Sequence, residues 1–168
     1  MIDLETYGTQ ANAVILSIGA REFDPQTGTL GRGYYQNVDR KTQKGRTVDK
    51  STVAWWRKQS RKAKEALKKD CIPLNASLAD FKKWLPTSCI VWGNGSTFDI
   101  TLLTTAYRNK TPWRFWNVRD MRTVKAMKII PDMKFVGVEH NALDDATNQA
   151  KYVSKALNTY LKMKRSFT

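Results

Sequence analysis

The hydrophobic positions of the chain follow two periods. At the N-terminus, Ile2 and Leu4 alternate with Asp3 and Glu5, and the alternation predicts a first strand over Met1 to Leu4. A β-branched apolar run from Ala13 to Asp24 predicts a second strand. "PQTG" then reads as a turn, with Pro25 and Gly28 at positions that suit their backbone preferences. "TLGRGYYQNV" returns as a third strand whose glycines and charges suit an edge. Helical spacing takes over in the middle. "VDKSTVAWWRKQS" carries a cap at Asp49 or Ser51 and apolar positions at Val53 and Trp56, and "RKAKEALKKD" continues it. "NASLADFKKWLP" has a cap at Asn75 or Ser77, apolar Leu78, Phe81, Trp84 and Leu85, and a stop at Pro86.

Behind these, "CIVWGNG" predicts a short buried strand, and "STFDITLLTTAYRNK" a helix starting near Ser96 or Thr97. A strand is expected at Phe115 to Val118, and a helix capped by Asp120 over Met121 to Met127. A long amphipathic helix follows over Asn141 to Met163, with Ala142, Ala146, Ala150, Val153, Leu157 and Leu161 near one face. The order β-β-β-α-α-β-α-β-α-α predicts an α/β domain with a mixed sheet flanked by helices. At 168 residues, with no repeats or linkers, one domain over 1–168 is expected.

Composition changes the picture through charge. There are 29 Lys and Arg against 15 Asp and Glu, a net charge of +14, which points to a polyanionic partner, most simply nucleic acid. Cys71 and Cys89 form no metal spacing. No secretory signal and no apolar stretch near the ~20 residues of a membrane span is visible. A soluble, cytoplasmic protein with free thiols is expected, with no membrane partner.

Against that basic background, a few acids stand where packing disfavours them. Asp3 and Glu5 share one strand face. Asp99 lies between Phe98 and Ile100, and Asp145 lies on the last helix, five residues after His140, the single histidine. Carboxylates gathered together are costly unless cations neutralise them, and hard divalent ions with oxygen ligands do so. Two such ions ~3.5–4 Å apart form the usual clamp for displacement at phosphorus. A nearby histidine can take the proton of the attacking water. Acids, a base and a basic surface together point to phosphodiester hydrolysis.

The ordered set, "DLETYG", "WGNGSTFD" and "HNALDDA", resembles the DEDDh branch of the 3′–5′ exonucleases, which have a ribonuclease H-like fold. "WWRKQS", "PWRFWNVRDMRT" and "HNALDDATNQA" are similar to the phage-type group related to exonuclease A of T-even phages and to mycobacterial RNase AS, from Met1 to about Leu157. The resemblance implies two divalent cations, Mg²⁺ or Mn²⁺, held by Asp3, Glu5, Asp99 and Asp145, with His140 as general base. It implies single-stranded 3′ ends as substrate, DNA favoured, with 5′-mononucleotide products and a bacterial host cytoplasm if the gene is a phage's. Exoribonuclease action of the RNase AS type, and an inactive binding module on the same fold, are the alternatives. The resemblance also implies that the backbone around Leu4 and Thr6 approaches the terminal nucleotide, with Tyr7 as a further contact. Two departures stand out. Only Met1 and Ile2 precede the first Asp, so the strand is expected to be short or to begin upstream. The spacing from Asn94 to Asp99 is also one residue longer than in proofreading exonucleases.

Other residues have plainer readings. Asp120 is expected as a helix cap and Asp144 as solvent-facing, since successive helix residues point ~100° apart. Trp56 is expected in the core, while Trp55 faces either substrate or solvent. Trp113, Phe115 and Trp116 are expected to pack under the sheet. Lys58, Arg61, Lys62 and Lys64 form either a phosphate track or a solvated helix face. Arg122 is expected to approach the acids or a phosphate. The sequence leaves the oligomeric state open, a homodimer included.

Overall fold

The computed structural model of the protein describes residues 1–166. Three strands, β1 (Ile2–Thr6), β2 (Ile15–Phe23) and β3 (Leu30–Asn37), form an antiparallel ladder in the order β1-β2-β3. β4 (Val91–Gly93) and β5 (Val118–Asp120) form a parallel pair, and β4 lies against β1. β1 therefore runs through the middle of the strand layer, in a ribonuclease H-like α/β fold. It is longer than its apolar pattern suggested, because pairing with β2 continues through Glu5 and Thr6. Its start is firmly held: Met1 is buried, and its carbonyl accepts the Arg21 N–H at 2.9 Å.

Alternation along β1 splits the core. Ile2 and Leu4 face one side with Ile18, Ala20, Phe81, Ile100 and Leu103, under helices α3 (Leu74–Trp84) and α4 (Ser96–Ala106). Met1 faces the other side, with Ala146, Ala150 and Val153 of the long helix that closes the fold (Ala142–Arg165). Each fully buried large apolar side chain here contributes about 1.5–3 kcal/mol. A bulge opposite Thr6 breaks the alternation of β2. Leu16 is the extra residue, and it packs with Val14, Trp56 and Ala63 while Ile15 stays in the larger core.

Four local expectations change. The predicted continuous helix is two, α1 (Lys50–Lys58) and α2 (Arg61–Ala66), because Gln59 is extended and the Ser60 side chain caps the second by accepting the Ala63 N–H. The break lets Ala63 pack beside Trp56. α3 starts at Leu74, one residue after Pro73 and ahead of Asn75 and Ser77. The Leu74 N–H is met by Thr42 Oγ1 at 3.0 Å, so no later cap is required. The last strand runs over Val118–Asp120, since β4 offers only three residues to pair with, and Phe115–Asn117 form a 3₁₀ turn. Trp113 is buried, but Phe115 and Trp116 are exposed, with the Arg114 guanidinium over the Trp116 ring. Between them, α5 (Met121–Ala126) and the long helix, α6 (Ala142–Arg165), follow the sequence pattern closely. Leu161 is exposed. No helix among the described residues is long and apolar enough to cross a membrane, and both cysteines are free.

Candidate active site

The acids converge at the middle of β1 because three separate devices bring them there. The first is β1 itself, which presents Asp3 and Glu5 on the face opposite to Ile2 and Leu4. The second is the turn from β4 into α4. Gly95, at φ +95°, reverses the chain and places Asp99 in the first turn of α4, where it is 2% exposed. Its Oδ1 accepts the Leu4 backbone N–H at 3.1 Å, which ties α4 to β1. Asp120 accepts the N–H groups of Ser96, at 2.5 Å, and of Arg122, at 2.7 Å, and so holds the starts of α4 and α5 together as a cap.

The third device is the start of α6. Asn141 caps it through the N–H groups of Leu143 and Asp144. The helix can lie this close to the sheet because Gly19, the cross-strand partner of Asp3, has no side chain. A Cβ at Gly19 would sit 2.1 Å from the Ala142 carbonyl carbon. Asp145 follows in the first turn. One turn later, on the same side, Gln149 Nε2 donates to Asp3 Oδ1 at 2.7 Å.

His140 sits just before this helix with φ +63°. One ring nitrogen lies with carboxylate oxygens of Glu5 and Asp145 in a group whose atoms are all within 4.8 Å of one another. The imidazole packs edge-on against Trp55, with ring centroids 4.7 Å apart, and against Trp56 at 6.1 Å. The segment leading to it is clamped from α6. Asp144 Oδ2 accepts the Val138 N–H at 2.8 Å, while the Asn148 amide accepts from the Val136 N–H at 3.0 Å and donates to the Val136 carbonyl at 2.8 Å. Asp144 is therefore half-buried and engaged, contrary to its expected solvent-facing position. The reason is that the segment before His140 folds back over the exposed side of α6.

Burial raises the proton affinity of all four carboxyls, and repulsion from the others adds to it at Asp3 and Glu5. Burial pushes Glu5 up to about 8, helped by Asp145 and Asp99. Burial also raises Asp99, to about 7, against the N–H groups of Leu4, Asn94 and its own backbone and the charge of Arg122. Asp145 is pushed up to about 6 by burial, with the N–H groups of His140 and Asn141 opposing. Asp3 is raised by burial and by Asp99, Glu5 and Asp145, and the Gln149 bond offsets part of this. Asp145 Oδ2 and Gln149 Oε1 are buried without a hydrogen-bond partner. Repelling carboxylates with an orphaned oxygen are a donor set that suits a hard divalent cation.

Beside the acids opens a cleft of about 480 Å³, walled by Leu4, Glu5, Thr6, Trp55, Trp56 and Phe98. Trp56 is buried, and its Nε1 donates to the Thr6 carbonyl at 2.8 Å. Trp55 is 42% exposed at the edge of the cleft. Arg122 is exposed, its guanidinium lying against Gly95. Two expected contacts do not line the cleft: Arg122, and Tyr7, which packs beside Trp56 and lines a different cavity. Sequence reasoning missed Gly19, Gln149 and the clamp of Asp144 and Asn148. The glycine inside an apolar strand and the helical spacing of Asp145 and Gln149 were the available signals.

Clustered acids and an imidazole on a ribonuclease H-like sheet define the class of the protein: a nuclease hydrolysing phosphodiester bonds, specifically a 3′–5′ exonuclease once its relatives are considered. Residues 1–157 match the family described as the Rv2179c-like 3′–5′ exoribonuclease domain, and the chain belongs to that family. It is also 27% identical over 177 aligned positions to a protein of Enterobacteria phage T4 named exodeoxyribonuclease, covering 86% of this chain and 78% of the phage protein.

Proposed function

We propose that the chain, as one domain over 1–168, removes nucleotides from single-stranded 3′ ends with two divalent cations, Mg²⁺ or Mn²⁺, held by Asp3, Glu5, Asp99 and Asp145. The observation that carries this reading is the grouping of Glu5, His140 and Asp145 beside the other two acids, with an orphaned Asp145 oxygen among them. Bound cations would supply charge for the attacking water and for the leaving oxygen. Asp3, on the same face of β1 as Glu5 and oriented by Gln149, would hold the ions together with Glu5, Asp145 and Asp99.

His140 takes the proton of the attacking water at a ring nitrogen, and the adjacent carboxylates of Glu5 and Asp145 stabilise the imidazolium that results. The water oxygen bonds to phosphorus as the bond to the 3′ oxygen of the preceding nucleotide breaks. The leaving oxygen takes a proton from solvent, which releases a 5′-mononucleotide and leaves a new 3′ hydroxyl. The cleft between Leu4, Thr6, Trp55 and Phe98 receives the terminal nucleotide. Its apolar walls suit a base face, where stacking contributes about 1–3 kcal/mol. Arg122, whose charge acts on Asp99, is suited to a phosphate oxygen.

DNA is the favoured substrate, in keeping with the T4 relative's name. RNA is the second reading, favoured by the description of the family itself. A panel of single-stranded DNA, duplex DNA, single-stranded RNA and poly(A), each labelled at the 5′ end and resolved by size with Mn²⁺, tests both. The reading expects a ladder shortening from the 3′ end, fastest on single-stranded DNA. Internal cuts, or shortening from the 5′ end, would overturn it. A faster ladder on RNA would select the second reading.

A further inference from the structure

Two cavities flank α1, and one of them, the cleft, is lined by Glu5 of the four clustered acids. Ser51, Thr52 and Trp55 line the cleft, while Val53 and Arg57 line a second concavity of about 620 Å³. Buried Trp56 forms a wall of both. The floor of the second is apolar, made by Leu16, Trp56 and Leu67 with Tyr7 beside them. Its rim carries five cations, Arg40, Arg57, Arg61, Lys64 and Lys68, against two acids. Both acids are already engaged. Asp39 accepts the Lys41 N–H at 2.9 Å, and Glu65 pairs with Arg61 at 2.7 Å. The trough is therefore a concentrated part of the chain's positive charge, bent into a concave surface over apolar ground.

Such a surface matches a single nucleic-acid strand: phosphates on the cationic rim, sugars and bases over the floor. One helix width, about 10–12 Å with side chains, separates it from the cleft. A strand leaving the cleft over Trp55 spans that distance within a few nucleotides. We propose that the trough holds the backbone of the substrate strand several nucleotides 5′ of the bond being cleaved. The proposal rests on the nuclease reading above. It makes affinity depend on strand length, because a dinucleotide fills the cleft without reaching the trough. It also gives Tyr7 a substrate role outside the cleft.

The two cysteines make the test direct. Cys71 is exposed and lines the trough, whereas Cys89 is half-buried and lines a separate cavity beside Trp92. With EDTA present to prevent hydrolysis, the whole protein is alkylated with iodoacetamide alone, with a dinucleotide, or with a long single-stranded oligonucleotide. Modification at each thiol is followed by mass spectrometry, and fluorescence anisotropy of the labelled oligonucleotide reports binding separately. The expected result is slower alkylation of Cys71 with the long strand only, and an unchanged rate at Cys89. A long strand that binds by anisotropy and leaves Cys71 unprotected would overturn the trough and leave the nuclease reading standing. Absence of both binding and Mn²⁺-dependent hydrolysis would overturn the nuclease reading, and the trough with it. As a second measure, Arg57→Gln/Lys68→Gln should lower the salt slope of long-strand binding by about 1.4, at ~0.7 per lost phosphate contact. An unchanged slope contradicts the proposal.

Discussion

Asp99 and His140 come to the same cluster of acids by opposite means. Asp99 rides on α4, amid Ile100, Leu102 and Leu103, which are nearly or wholly buried, and the backbone N–H of Leu4 ties its carboxylate to β1. Displacing it means moving a helix out of the core. His140 ends a segment in which Met133 and Val136 are 39% and 63% exposed, and it adopts a left-handed backbone conformation. Its position depends on the Trp55 and Trp56 rings and on a few polar bonds from Asp144 and Asn148. The acids are held by packing and the imidazole by a polar clamp. Segments with few buried apolar contacts open at lower free energy than core helices. The imidazole should therefore be the more easily disturbed part of the site.

That contrast can be broken from the imidazole side first. His140→Ala should lower kcat by roughly 10²–10⁴-fold, the usual range for a general base, while the melting temperature and Mn²⁺ binding by calorimetry persist. An unchanged kcat would remove His140 from the mechanism. Gly19→Ala attacks the common platform. The added Cβ meets the backbone of Ala142, which cannot yield as a side-chain tip does. Overpacking of this kind costs about 1–3 kcal/mol or more, and each kcal/mol shifts the melting point of a chain this size by roughly 2–4 °C. A thermal scan should show that loss, with activity falling because α6 carries Asp145 and the capped end beside His140.

A smaller effect separates the clamp from the core. Asp144→Ala removes the acceptor for the Val138 N–H and should lower kcat by about 10-fold, with little change in KM. Asp144→Asn keeps an acceptor oxygen and should restore most of the rate. Equal losses in the two variants would contradict the clamp. The acids should respond instead to pH and cation. Glu5, Asp99 and Asp145 are raised to about 8, 7 and 6 in the fold, above ordinary carboxyl values near 4. The folded state thus binds more protons than the unfolded chain between about pH 4 and 8, and stability in EDTA should fall as pH rises through that window. Mn²⁺ should restore it most at the upper end, because the ion binds the ionised carboxylates. A cation-independent melting point across the window would count against the metal site.

Much of this was legible beforehand, for physical reasons. Alternating acids in an apolar strand, and an acid inside "TFDITLL", are costly arrangements that point to a compensating ligand, so Asp3, Glu5 and Asp99 could be found without a structure. The helices with strong caps were likewise readable, as at Asn141 and Asp120. What failed to show was tertiary. Asp144 could not be told from a solvated helix residue, because its partner is a backbone N–H in an irregular segment. Phe115 and Trp116 look like core by composition, and only the three-residue reach of β4 leaves them outside. Gly19 reads as a weak point in a strand until α6 is seen lying on it.

The central claim is that the four carboxylates form one functional unit. The direct test is hydrolysis of a labelled single-stranded oligonucleotide in Mg²⁺ or Mn²⁺ by Asp145→Asn and Asp3→Asn, each with a folded-state melting curve. The account predicts losses beyond the ~10–100-fold typical of residues that merely support metal ligands, and arrest of the unaltered protein by EDTA. A wild-type rate in either folded variant would contradict it.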